Sequence, residues 1–167
     1  MRGLLLAPIG LVVLLLAGLA PTTASAASPH FINASANLQG TNLVVSWKEA
    51  GLGNDVVIHY VASANATAQY ACINGGGNHP KATNKETVSG PVSAAGDFSS
   101  GKNGSINGSL SISAPGAGAF TCPGGQRLVL AQVRYTNISL QDTTDGIAAA
   151  IAGSSCGSFI NLPDFAC

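Results

Sequence analysis

Period-two alternation of apolar and polar residues constrains this chain more than any other feature. In VVIHYVASA (56–64), Val56, Ile58, Tyr60 and Ala62 alternate with Val57, His59, Val61 and Ser63, as in a strand with one face buried. FINASANL (31–38) places Ile32, Ala34, Ala36 and Leu38 on one side, and LVVSWK (43–48) does the same with Leu43, Val45 and Trp47. TAQYACI (67–73) continues the strand pattern, either straight on or as a hairpin return around Asn65. ETVSGPVSAAGDFSS follows, and SINGSLSIS aligns Ile106, Leu110 and Ile112. RLVLAQVRYTNISL (127–140) reads as one long strand or as two broken near Thr136 and Asn137. Helical period is nearly absent; the one candidate helix is DGIAAAIAGSS (145–155), alanine-rich and ended by glycine. The 21 glycines in 167 residues, against a usual ~7%, fall mostly between these runs, where turns need positive φ. Short strands separated by turn signals predict an all-β fold, a single antiparallel β-sandwich.

The chain opens MRGLLLAPIGLVVLLLAGLAPTTASAASPH. Arg2 precedes an apolar run from Leu4 to Ala20, and Ala24-Ser25-Ala26 is a small-residue cleavage signature. Residues 1–26 read as a signal peptide. A transmembrane anchor is the rival, but Pro8, Pro21 and the lack of basic residues after the run oppose it. A secreted, extracellular protein with no membrane span after cleavage is expected. Residues 27–146 would form the sandwich and 147–167 a disulfide-stapled tail. Seven Lys and Arg balance seven Asp and Glu, and only 8% of residues are charged. With no basic stripe to neutralise phosphates, nucleic acid is excluded as a partner.

Four cysteines in an exported chain read as two disulfides, for which three pairings exist. Cys72 and Cys122 each end a β-like run and enter a Gly/Pro loop, while Cys156 and Cys167 bracket the C-terminal segment. Cys72–Cys122 with Cys156–Cys167 is the favoured pairing. A four-cysteine zinc site is disfavoured, because no C-x-x-C pair occurs.

YACINGGGNHP (70–80) is the stretch most like a site. Its glycines lead into no helix and no G-K-[ST] ending, which disfavours a phosphate cradle. His30, His59 and His79 lie in unrelated segments without zinc-like spacing, so no metal is expected. What is left is a disulfide-tethered turn that doubles as a candidate binding loop: Tyr70, Asn74, Gly75, Gly76, Gly77, Asn78 and His79. No G-x-S-x-G elbow signals a serine nucleophile. The only glutamates, Glu49 and Glu86, fall at loop edges, away from any paired-acid arrangement. Asp142 and Asp145 in LQDTTDG could open a calcium loop, but read more simply as turn chemistry. No catalytic residues and no cofactor are assigned. Asn33, Asn65, Asn103, Asn107 and Asn137 head N-x-[ST] sequons, possible glycosylation sites in a eukaryotic secretory host.

Three resemblances follow from particular strings. LVVSWKEAGL, an early strand ending in V-S-W, looks like the second strand of fibronectin type III domains, whose buried tryptophan anchors the core; this implies an immunoglobulin-like or fibronectin-III-like sandwich with Trp47 inside. A surface tryptophan stacked on sugar rings is the alternative role. SWKEAGLG, YACINGGG and SGKNGSINGSL resemble uncharacterised small secreted proteins of actinobacteria and fungi, which carry no site residues to transfer. GDFSSGKNGSINGSLSIS is similar to a stretch of neocarzinostatin-type apoproteins, small exported sandwiches that hold an apolar chromophore in a cleft. Their disulfides close short loops, whereas Cys72 and Cys122 are 50 apart. The expected function is a non-enzymatic binding or surface-interaction module with an unknown extracellular partner: glycan, protein or small ligand. The alternatives are a small-ligand carrier with a cleft between its sheets and a secreted hydrolase without a recognisable motif.

Overall fold

The computed structural model describes residues 28–76, 84–160 and 167; residues 1–26, expected as a signal peptide, lie outside them. Among the described residues eight strands follow in order: β1 (His30–Gln39), β2 (Asn42–Ala50), β3 (Val57–Asn74), β4 (Lys85–Ser99), β5 (Ser105–Ile112), β6 (Gln126–Asp142), β7 (Ile147–Ile151) and β8 (Ser155–Ser158). Three form one sheet in the order β1-β2-β5. The other runs β4-β3-β6-β7, with β8 also paired to β6. Every pairing is antiparallel. The two sheets pack face to face as an all-β sandwich. Among the described residues no helix is long and apolar enough to cross a membrane.

Alternation sorts the core as expected. Leu43, Val45 and Trp47 of β2 and Ile106 and Ile112 of β5 meet Ile58, Tyr60 and Ala62 of β3 and Val133, Tyr135, Ile138 and Leu140 of β6. Trp47 is 3% exposed, its ring 4.7 Å from that of Tyr60 and 5.0 Å from that of Phe98. The indole is therefore a core anchor, and the sugar-stacking role is set aside. The Tyr135 phenol donates to the Thr41 carbonyl at 2.9 Å, tying β6 to the β1–β2 turn.

The structure decides four local readings. Ile32 does not share a face with Ala34: a β-bulge between Phe31 and Asn33 turns Phe31 inward and leaves Ile32 52% exposed. No hairpin forms at Asn65, because β3 runs unbroken for 18 residues. The candidate helix is the strand β7, in which Ile147, Ala149 and Ile151 are half-buried and Ala148 and Ala150 exposed. The six residues between Gly146 and Gly153, both at positive φ, are too few for a stable helix, and pairing with β6 satisfies the backbone of the five in β7. Finally, β7 and β8 both extend the β6 edge, so the segment after 146 completes the sheet.

The disulfides are Cys72–Cys122 and Cys156–Cys167, and no cysteine is free. The first matters for shape. β3, β4 and β6 are 15–18 residues long against 8–10 for β1, β2 and β5, so the longer sheet overhangs the shorter one. The coil after β5 covers part of this overhang, held by Cys122 and by the Tyr70 hydroxyl, which donates to the Pro115 carbonyl at 2.7 Å.

Candidate functional site

Two inward-facing parities converge at one end of the sandwich. On β2 the buried positions Leu43, Val45 and Trp47 continue at period two to Glu49, which is 0% exposed. Glu49 thus faces the core rather than a loop edge. On β6, Val133 and Tyr135 point inward, and an unbroken strand would next bury residues 137, 139 and 141. Instead Asn137 adopts φ 51°, and the register against β3 slips by one residue between Thr136 and Ser139. This bulge inverts the parity, so Ile138, Leu140 and Asp142 are buried. Asp142 is also 0% exposed.

The result is a cluster of acids at the end of the interior. The Tyr60 hydroxyl donates to Glu49 Oε2 at 2.7 Å. Asp142 Oδ1 accepts from the backbone N–H of Thr144 (2.8 Å) and of Asp145 (2.9 Å), the turn chemistry expected of DTTDG. The Thr143 N–H and hydroxyl both donate to the His59 carbonyl, at 2.9 and 3.0 Å, and the His59 N–H donates to Thr144 Oγ1 at 2.9 Å. The turn is thereby clamped to β3. One carboxylate oxygen each from Glu49, Asp142 and Asp145 lies within 4.8 Å of the others. Glu49 Oε1 and Asp142 Oδ2 are buried without a hydrogen-bond partner, whereas Asp145 is exposed.

Burial pushes the Glu49 carboxyl up to about 7; the Tyr60 hydrogen bond opposes this, and the nearby Asp142 and Asp145 add to it. Burial, then the neighbouring Glu49, raises the Tyr60 phenol as well. Asp145 is raised by desolvation and by Asp142. The groups acting on Glu49 are one phenol and two acids, with no cation among them. Because Glu49 and Asp142 are fully buried, neither carboxylate can act on a substrate. They are equipped to hold a proton or a hard cation. Next to the cluster, a shallow groove of about 390 Å³ is lined by Pro29, His30, Phe31, Ile147, Ala148 and Ala149. Phe31 is the cross-strand partner of Glu49, and Ile147 that of Asp142.

The candidate loop is placed differently. Tyr70 is half-buried against the core with its hydroxyl bonded to Pro115, so it anchors the coil rather than reaching outward. Asn74, Gly75 and Gly76 close a turn in which Asn74 Oδ1 accepts from the Gly76 N–H at 3.2 Å. Gly77, Asn78 and His79 lie outside the described residues. The five sequon asparagines, Asn33, Asn65, Asn103, Asn107 and Asn137, are all exposed. His59 is on the outer face of β3, its Nδ1 2.6 Å from Asp97. No protein family, curated protein or solved structure matches the chain.

Proposed function

We propose that the protein is a secreted, non-enzymatic immunoglobulin-like module that binds an extracellular partner through the outer face of its longer sheet. That face carries the proposal. It presents Asn65 and Thr67 of β3, Ser89 and Ser93 of β4 and Thr136 of β6 to solvent. Hydroxyl pairs knit its rows together, Thr67 with Ser89 at 3.0 Å and Ser63 with Ser139 at 2.9 Å. These neutral donors and acceptors, flanked by Arg134 and the His59–Asp97 pair, suit a polar partner, glycan or protein. The two disulfides favour an oxidising compartment, and the facing sheets β1-β2-β5 and β4-β3-β6-β7 favour the fibronectin-like order. The packed aromatic core of Trp47, Tyr60 and Phe98 argues against a carrier cleft between the sheets.

The test is binding of the purified protein to insoluble polysaccharides and to extracellular-matrix proteins. Asn65→Arg and Ser93→Arg should abolish retention, whereas Ser109→Arg, on the outer face of the other sheet, should leave it intact. Retention indifferent to the first two, or saturable uptake of an apolar dye by the folded protein, would sink the proposal.

A further inference from the structure

We propose that Glu49, Asp142 and Asp145 form a calcium site at the end of the sandwich, a property independent of the partner-binding face. Two separate observations converge on it. The first is geometric. Oxygens bound to one calcium at the usual ~2.3–2.6 Å can be no more than roughly 5 Å apart, and one oxygen from each of these three carboxylates meets that limit at 4.8 Å.

The second is the state of the buried oxygens. Glu49 and Asp142 are each 0% exposed, and in each one oxygen is satisfied by the protein while the other has no partner. Tyr60 occupies Glu49 Oε2 and leaves Oε1 unpaired; the turn amides occupy Asp142 Oδ1 and leave Oδ2 unpaired. A buried carboxylate oxygen without a donor is expensive, and buried charges are paired or coordinate metals. A cation held by these carboxylates would give the unpaired oxygens a partner.

The remaining features suit calcium. All three donors are carboxylates, the hard oxygen ligands it prefers, and it tolerates irregular geometry with water completing the shell. Asp145 is exposed, giving the ion an approach from solvent and room for those waters. The ligands come from β2, the end of β6 and the turn before β7, so the ion would join the two sheets where the β6–β7 turn closes the interior. Affinity in the range of extracellular calcium modules, ~10⁻⁴–10⁻³ M, is expected for three protein carboxylates with water completing the shell.

The purified protein, stripped with chelator, is to be titrated with calcium and, separately, with terbium. Calcium at a hundred times Kd should raise the melting temperature by roughly 5–10 °C. Terbium should give sensitised emission on excitation of Tyr60 and Trp47, because the Tyr60 hydroxyl touches a ligand and the Trp47 ring packs on Tyr60; excess calcium should quench it. Asp145→Asn, at an exposed position where the fold is safe, should weaken calcium at least about tenfold. Asp142→Asn should abolish the terbium signal. No calcium-dependent shift and no terbium emission in the wild type would overturn the site, as would binding unchanged in Asp145→Asn. A protein stabilised by acid but indifferent to calcium would overturn it too, showing that Glu49 and Asp142 share a proton instead.

Discussion

Gly108 shows how closely the core is fitted at single residues. It is the cross-strand partner of Trp47, and a Cβ built there would lie 2.4 Å from the indole Cζ2. The absent side chain is what lets the indole lie flat across β5 and reach Tyr60. Gly108→Ala should therefore cost about 1–3 kcal/mol, the range for overpacking a filled core. Gly116→Ala, with nothing within 4 Å of its added Cβ and no positive φ, should be neutral within about 0.5 kcal/mol. Denaturant unfolding of both variants, followed by Trp47 emission, measures the difference. Equal stability would mean that the indole can move aside.

Bulges decide, element by element, which residues the alternation delivers to the core. Asn137 in β6 is the decisive one, since without its extra residue Asp142 would face solvent and the acid cluster would not assemble. Its φ of 51° is a left-handed conformation that asparagine and glycine tolerate and β-branched residues resist. Asn137→Gly should keep the native stability, and Asn137→Val should lose about 1–2 kcal/mol. Thermal melts of the two variants compare these outcomes directly, and a Val variant as stable as the Gly variant would count against a bulge held by this residue. A second extra residue, Ala131, leaves its carbonyl free to accept from the Phe159 and Ile160 amides at 2.7 and 3.3 Å. Thus one bulge of β6 builds the acid cluster and the other docks the segment after β8. The first coincides with Thr136 and Asn137, where RLVLAQVRYTNISL reads as one strand or two; the second leaves no break in the alternation, because the small Ala131 reads equally well on either face.

Across the whole molecule the two disulfides do unequal work. Cys72–Cys122 closes 50 residues and holds the coil that covers the overhanging sheet, whereas Cys156–Cys167 closes 11. By chain entropy the first contributes about 4 kcal/mol and the second about 3 kcal/mol. Losing the first also releases the coil that Tyr70 and Pro115 clasp, so the measured gap should exceed the entropic one. Cys72→Ser paired with Cys122→Ser should lower stability more than Cys156→Ser paired with Cys167→Ser. Equilibrium urea unfolding of the two double variants decides it, and the reverse order would refute the covering role of the coil.

The sequence by itself determined the class of fold, the pairing-ready cysteines and most of the core. Each of these rests on local information: period-two patterning, turn residues between runs, and cysteines placed at strand ends. It also placed Asp142 in turn chemistry, because an Asx turn spans only three residues. Glu49 was half legible, since the parity of Leu43, Val45 and Trp47 extends to it, but a charged residue beside Ala50-Gly51 reads locally as a strand end. Only the tertiary structure could bring Glu49 to Asp142 and Asp145, more than ninety residues further along. That meeting depends on which sheet each strand joins and on a one-residue slip in β6, and neither is written in the periodicity of any single segment. For the same reason only tertiary pairing could make a strand of IAAAI, whose alanines favour a helix in isolation until the open edge of β6 offers their backbone a full set of partners.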